Sequence, residues 1–430
     1  MAENKDYRYS MSITSQLPHC SLPLRLDSYS KCSYRCSYCF AKNRGGNHPP
    51  KGIKTINYKS VDKLLCKSLK LGEESTKTVI SQLLEKRTPI HFGGMSDPFM
   101  QYEEFGQKTL ETLKVLRDYC YPTIISTKGT LITKDEYLEI LSQSLVTTQI
   151  SFSSLDDKVS SLIEFNTPLP SERLNVIKSL AEVCWVSARL QPLIPGELDS
   201  AIEAIKALAK SGVKHVSVEL LKLPLSEYSK LTSQIANAVG REIQEYYSER
   251  RLMGLEFLVN RDYALLVHKK LAKVAREVNI SYSSADTDLL PYDSSDCCCS
   301  GVHELPGFEN YYRYTFSQAI RNALRENSDL LMYRHLSCEW APGGPINQYL
   351  NSKSRVNDAN NVVGWMAAKW NSSSKSIGPL AFYGIEETDS YDENGMKIYR
   401  ISNSAVELAL QLGAIPKTAT NAQDILLIQN

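Results

Sequence analysis

The sequence has almost no excess charge: 49 Lys and Arg stand against 48 Asp and Glu, a formal net charge of +1 at pH 7. That balance excludes a global basic footprint of the kind that drives non-specific nucleic-acid binding, though not a local basic face. Long apolar runs are lacking too. No window approaches the roughly 18 apolar residues of a membrane span, and the opening stretch MAENKDYRYSMSITS contains no continuous apolar core of a secretory signal. The expectation is a cytoplasmic protein with no membrane partner. Internal repeats and low-complexity tracts are absent. The cysteines number 11, an odd count, and in a reducing compartment they do not read as a disulfide framework. Metal or redox chemistry is the better default for them. With 42% hydrophobic residues over 430 positions, the chain can bury a substantial core, and its length suggests two or three domains.

From about residue 22 to residue 284, short β-type runs alternate with longer helix-period stretches, the signature of βα units on a parallel sheet. The runs are LPLRL from Leu22, PIHFG ending at Gly93, TIIST ending at Thr127, TTQISF ending at Phe152, CWVSARL ending at Leu190, HVSVEL ending at Leu220 and NISYSS ending at Ser284. Six or seven repeats predict an α/β fold with a curved sheet or partial β/α barrel, whose chemistry gathers at the C-terminal ends of the strands. Residues 1–19 read as an N-terminal extension, 20–290 as the partial barrel, and 291–430 as a mixed α+β accessory region that would suit substrate binding. The accessory region ends in one strand and one helix, with Ser402 or Asn403 as N-cap.

Three cysteines, Cys32, Cys36 and Cys39, crowd into SKCSYRCSYCF directly after the first of these strands. Three thiolates can ligate three irons of a cubane [4Fe-4S] cluster and leave the fourth iron open to an exogenous ligand. Structural zinc competes, but it wants four closed ligands, and Cys20 and His48 form no familiar second half-site. Simple packing of buried thiols is the remaining reading.

The spacing Cys32-x-x-x-Cys36-x-x-Cys39, with Tyr38 before the third cysteine, resembles the motif of the radical S-adenosylmethionine (SAM) superfamily. The segments DSYSKCSYRCSYCFAKN, GGMSDPFMQYEE, ISTKGTLI, ISFSSLDD, NTPLPSERLNVIKSLAEV and ARLQPLIPGELD resemble, in order and context, its spore photoproduct lyase-like subgroup, over roughly residues 20 to 290. The resemblance implies that SAM chelates the open iron and is reductively cleaved to methionine and a 5′-deoxyadenosyl radical that abstracts a substrate hydrogen. An external electron donor, flavodoxin- or ferredoxin-like, would be a partner. Residue by residue it implies that Cys32, Cys36 and Cys39 hold the cluster and that Tyr38 and the backbone at Phe40 flank the adenine. Gly93 and Gly94 would stand beside the SAM amino group, where a missing Cβ permits close approach. Asp97 before Pro98 matches the subgroup's aspartate-proline pair, and its alternative use is to hold a turn. Ser126, Lys128, Ser151 and Ser153 match polar positions lining the ribose and carboxylate side. Arg189 lies in an otherwise apolar strand, so its guanidinium needs a carboxylate, that of SAM or, structurally, Glu219.

Spore photoproduct lyase uses a late cysteine as hydrogen donor. Cys297, Cys298, Cys299 and Cys338 are the candidates, with a redox pair, a second metal site and simple packing as other uses of the DCCCSG triplet. His303 and Glu304 read as surface residues. Trp340, Trp365, Trp370, Tyr311, Tyr312 and Tyr314 can stack on bases or pack a core. The basic stretch VHKKLAKVARE, with Lys269, Lys270, Lys273 and Arg276, reads as a nucleic-acid contact or a solvated helix face. The expected activity is hydrogen abstraction from an exposed nucleic acid base, in lesion repair or base modification. A peptide or small-metabolite substrate is the second possibility, and a metal-stabilised, non-catalytic binding module the third.

Overall fold

Alternation along the strands decides how this sheet is covered. The structure is a computed structural model that describes residues 7, 11–14, 16–43, 52–69, 78–296, 298–350, 354–356 and 359–415. Its main sheet has eight strands: β1 (Met11–Ile13), β2 (Leu24–Leu26), β3 (Ile90–Phe92), β4 (Thr123–Thr127), β5 (Val146–Phe152), β6 (Trp185–Leu193), β7 (His215–Leu220) and β8 (Ser281–Ser284). They pair in simple sequence order from β1 to β8. All pairs from β2 onward are parallel, and β1 joins β2 antiparallel. Seven parallel strands wound in one direction are the partial barrel the repeats predict. The eighth, β1, comes from the stretch read as an N-terminal extension; three residues are too short to show a period.

Register separates the faces. Ile125, Ile150, Ala188 and Val216 share one face of the sheet and are buried. That side packs on the helices Lys108–Asp118, Pro170–Ala181, Leu198–Lys210 and Arg261–Glu277. The other face is polar toward the C-terminal strand ends: His91, Ser126, Gln149, Arg189, Gln191 and Ser217 form a hydrogen-bonded string across five strands. Toward the opposite ends the same face is apolar, with Ile124 and Trp185 packed against Leu22, Cys298, Val302, Phe308 and Tyr311.

The chain after β8 thus returns to fill the mouth opposite the cysteine loop. A Cβ on Gly301, whose φ is +71°, would stand 2.3 Å from the His215 ring. Asp293 fastens this return, accepting the Ser284 amide at 2.8 Å and the Arg321 guanidinium at 3.0 Å. Cys298 and Gly301 of DCCCSG are therefore part of an internal packing segment. His303 is buried rather than at the surface and accepts the Asp296 amide through Nε2 at 2.9 Å.

Beyond it lies a second sheet in which β11 (Lys397–Ile401) is flanked by β9 (Leu330–Leu331) and β10 (Ile385–Tyr391). A helix follows at Asn403–Leu412, capped by the Ser402 hydroxyl. Trp365, Trp370, Tyr311, Tyr312 and Tyr314 are buried, so they pack cores and are not base platforms; Trp340 alone of that set is 40% exposed, under Lys86 Nζ. Core residues of the accessory region run continuously into those of the barrel. Lys270, Lys273 and Arg276 lie on the solvated side of their helix, where Lys273 faces Glu277 at 3.9 Å. Among the described residues no helix is long and apolar enough to cross a membrane.

Two buried histidines make this fold acid-labile. Burial holds His19 down at about 4 and His215 down at about 3, from an ordinary 6.5. Both are neutral in the folded chain at pH 5 and protonated in the unfolded one, so the unfolded state binds more protons and stability rises with pH. Their contribution is complete above 6.5 and is lost as pH falls from there toward 4. These two protons alone correspond to about 3 kcal/mol per pH unit across that window; His91, His303 and His335, also held down by burial, act in the same direction, and the raised carboxyl of Asp27 opposes them. Urea unfolding at a series of pH values checks this, and a flat midpoint between pH 6.5 and 4.5 would contradict it.

Candidate active site

Each strand of the parallel set ends at the same rim, and the cysteine loop, which leaves β2, is tied to the turn after β3 and to the segment that follows β5. Asp27, next after β2, accepts the amides of Met95 at 2.8 Å and Ser96 at 3.0 Å. Burial raises its carboxyl to about 6. Ser96 Oγ donates to the Tyr29 carbonyl at 2.7 Å, and Tyr34 donates to the Phe99 carbonyl at 3.3 Å. On its other side the loop forms a two-residue antiparallel ladder, Arg35 opposite Phe165 and Cys36 opposite Glu164, extended by the Ser37 amide on the Ile163 carbonyl. Cys36 and Glu164 point inward and are buried; Arg35 and Phe165 point outward and are exposed.

Cys32, Cys36, Cys39 and Tyr38 belong to one apolar cluster with Tyr29, Tyr34 and Met100. Burial pushes the Cys32 thiol up to about 12 and Cys36 to about 11. Among the described residues no three Cys, His, Asp or Glu side chains are gathered as a ready ion cage. Cys20 does not supply a fourth ligand: its thiol donates to the Leu22 carbonyl and it packs at the opposite mouth. His48 lies outside the described residues.

Glu164 is the centre of the loop's polar support, and no local signal in the sequence points to it. Tyr38 Oη and Ser160 Oγ donate to its carboxylate, and Arg173 and Lys128 pair with it, the last at 3.4 Å. Burial alone would raise its carboxyl, but Lys128 and Arg173 outweigh that and hold it down at about 2. Arg173 is fully buried and also donates to the carbonyls of Ser151 and Pro168. Lys128, read as a cofactor contact, is committed to Glu164, with Nζ 6.0 Å from the centre of the Tyr38 ring.

Asp97 spans the rim. Its carboxylate accepts the Phe99 amide at 2.9 Å, the Thr127 hydroxyl at 2.6 Å and the Lys128 amide at 2.6 Å, so it joins the β3 turn to the end of β4. That is the turn-holding use. Gly93 has φ +90°, and a Cβ there would lie 2.5 Å from the Ser126 carbonyl oxygen and 2.8 Å from Pro98. The space its hydrogen leaves is taken by the chain itself. A Cβ on Gly94 would meet Arg25 at 3.2 Å. Phe40 is 42% exposed and opens a short 3-10 turn after the last cysteine.

Ser126 lies within the polar string, bonded to His91, Gln149 and Arg189, and Ser151 shares that face in register with Arg189. Arg189 rests on neutral partners, the Gln191 side-chain carbonyl at 3.0 Å and the Ser126 hydroxyl at 3.1 Å. No carboxylate pairs with it among the described residues. Glu219, its alternative partner, is taken by Lys222. Cys299 feels the Arg189 charge, and its thiol is lowered by a hydrogen bond from Cys298 and by that guanidinium. Cys298 is buried in the apolar packing segment. Cys338 is exposed on the accessory region beside Asn322 and His335. Cys297 lies outside the described residues.

The donor set fits an iron-sulfur cluster and its ligand in a second respect. The hydroxyls of Ser33, in the cysteine loop, and of Ser153, directly after β5, are buried with no hydrogen-bond partner among the described residues. Such groups are costly unless something supplies their bonds. A polar ligand over the loop would do so.

Residues 27–209, which hold the Cys-x-x-x-Cys-x-x-Cys loop and most of the open parallel barrel, match the family model of the Radical SAM superfamily. Domains of this superfamily hold a [4Fe-4S] cluster and SAM. Among curated proteins, the chain is 29% identical over 150 residues to an uncharacterised protein, ORF301, of Acidianus two-tailed virus, covering 30% of this chain. The chain spans about half, 49%, of that relative's length. Similar solved structures include a spore photoproduct lyase variant with bound AdoMet and dinucleoside spore photoproduct, at 13% identity and TM-score 0.47, over 63% of this chain and 79% of that one. SuiB of Streptococcus suis bound to precursor peptide SuiA is another, at 18% identity and TM-score 0.40, over 61% and 49%.

Proposed function

We propose that the protein is a radical SAM enzyme that abstracts hydrogen from a nucleic acid base, in lesion repair or base modification. The observation that supports the chemistry is a three-thiol loop at the C-terminal rim of a sheet whose polar face carries Arg189, which pairs with no carboxylate among the described residues. A [4Fe-4S] cluster with SAM supplies one-electron cleavage of the sulfonium and a 5′-deoxyadenosyl radical; the chain's own residues place, hold and shield. Cys32, Cys36 and Cys39 hold the cluster. Tyr38, fixed through Glu164, sets the loop. Arg189 receives the SAM carboxylate, since a guanidinium held only by neutral acceptors is favourable once an anion arrives. Replacing Arg189 by glutamine removes a charge-assisted contact worth about 1.5–3 kcal/mol. SAM affinity should fall roughly 10- to 100-fold, by isothermal titration of the iron-loaded protein; unchanged affinity would move the carboxylate elsewhere.

The base as substrate is supported by the motif resemblance running from DSYSKCSYRCSYCFAKN to ARLQPLIPGELD. Cys299, next to Arg189, is the hydrogen donor among the late cysteines. Reconstitution without oxygen, then dithionite and SAM, should yield 5′-deoxyadenosine. With an oligonucleotide substrate in D2O, a deuterium should enter the product from an exchanged Cys299 thiol and be lost in Cys299→Ala. No 5′-deoxyadenosine from well-loaded protein would sink the catalytic reading, and turnover with a peptide in place of an oligonucleotide would redirect the substrate.

A further inference from the structure

The outward side of the Arg35–Cys36 ladder forms one wall of a cleft. It has a volume of about 240 Å³ and is closed opposite by the helix Tyr228–Val239. Arg35, Ser37 and Phe165 contribute from the ladder, and Glu227, Lys230 and Gln234 from the start and exposed side of the helix, over a floor at Leu231. We propose that this cleft is a subsite for one phosphate-bearing nucleotide of a single or unstacked strand, next to the reacting base. The inference rests on the nucleic-acid reading above and deepens it.

Four features carry it. Arg35 and Lys230 form no ion pair among the described residues, so two cations face the cleft against the single carboxylate of Glu227. A phosphate between them would be held by contacts that need no dehydrated partner elsewhere. Phe165 leaves 44% of its surface in water although it stands in a ladder directly opposite Arg35. An exposed ring beside a guanidinium is the platform on which a base of any identity stacks. Glu227 and Gln234 supply an acceptor and an amide for ribose hydroxyls or base edges. The buried, unpartnered Ser37 hydroxyl lies in the same lining.

Position adds the functional link. Alternation in the ladder sends Cys36 to the cluster side and its neighbour Arg35 to the cleft, so an occupant is separated from the cluster by one thickness of backbone. The cleft therefore suits a non-reacting part of the substrate, whose binding orients the part that reacts. A net charge of +1 for the whole chain is no obstacle, because two local cations suffice for one phosphate.

The test is fluorescence-anisotropy titration of a fluorescein-labelled oligothymidylate with the iron-loaded protein, at several salt concentrations. Lys230→Gln lies on the solvent side of its helix and carries little folding risk; Phe165→Ala is the second variant, with circular dichroism and iron content as controls. The wild type should bind with a salt dependence, Lys230→Gln should lower the log–log slope by about 0.7, and Phe165→Ala should weaken binding roughly tenfold without changing that slope. A wild type that binds no oligonucleotide at low salt overturns the nucleic-acid reading itself. Wild-type binding that both variants leave intact overturns the cleft alone. If the variants slow cluster reduction by a reduced flavodoxin and spare oligonucleotide binding, the cleft is an electron-donor face and the proposal is equally overturned.

Discussion

Cys36→Ala protein, reconstituted with iron and sulfide without oxygen, is expected to lose its cluster absorbance and to form no 5′-deoxyadenosine above background. Cys36 is the central thiol of the three and the one that the ladder fixes most firmly, with its backbone paired to Glu164 and its side chain in the apolar cluster. A cubane held by two thiolates has two open irons, and the carboxylates near the thiols are already engaged, Glu164 with Arg173 and Lys128 and Asp97 with the Thr127 hydroxyl and the Lys128 amide. Iron content should drop from about four per chain toward zero. The fold itself should survive, because a thiol-to-methyl change removes little volume and leaves the Glu164 network whole. Metal analysis separates the alternatives. Zinc in the wild type, with unfolding of the variant, would make the loop a structural metal site and remove the enzymatic reading.

Glu164→Ala should be the most destabilising single change near the site, by about 3–5 kcal/mol. The carboxylate is wholly buried and answers Arg173, which is also wholly buried, together with Lys128, Tyr38 and Ser160. Removing it leaves a guanidinium inside the protein with carbonyl oxygens but no counter-charge. The loss of a buried partner is far more costly than the pair was favourable, since each ion has already given up its water. Glu164→Gln keeps the shape and an acceptor for Tyr38 while losing the charge, and should fall between wild type and alanine. Arg173→Met should be milder than Glu164→Ala in its effect on charge balance, because Lys128 remains to neutralise Glu164. Urea midpoints at pH 7 give the ranking. Equal midpoints for wild type and Glu164→Ala would show that the carboxylate is not holding the loop. The same variant should also lose its cluster faster in air, since Tyr38 and the Cys36 ladder lose their common anchor.

Much of the fold was legible because a parallel strand covered by helices shows its apolar face directly in sequence. TIIST and HVSVEL match β4 and β7 to the residue. Where the order of apolar residues is short or mixed, legibility fails: Met11–Ile13 carries no pattern, and its place beside β2 is set by pairing alone. The cysteine loop was legible because its ligands are local. Glu164 and Arg173 were not, since a buried ion pair belongs to two elements whose meeting depends on the whole barrel. Lys128 and Gly93 were assigned outward-looking tasks on local grounds, and the packing turns the first to Glu164 and uses the room around the second for Ser126 and Pro98. Arg189 shows the reverse. Its need for a partner in an apolar strand was legible, and with Glu219 captured by Lys222 no carboxylate pairs with it among the described residues. The DCCCSG segment was opaque because the reason for Gly301 is a histidine 86 positions earlier in the chain, at His215.

The return of the chain to the lower mouth fixes an order of assembly during synthesis. Phe316 donates its amide to the Pro18 carbonyl, and Ser317 Oγ reaches the His19 carbonyl across 298 positions. The ribosome delivers β1 to β8 and the whole cysteine loop before the residues that seal the opposite side exist. The nascent barrel therefore spends roughly 1–5 s, the time to add the 27 residues between Ser284 and Tyr311 at about 5–20 residues per second, with Ile124 and Trp185 uncovered. That interval is when the unfinished protein is most open to aggregation and to chaperone capture, and it closes once Val302, Phe308 and Tyr311 cover these side chains.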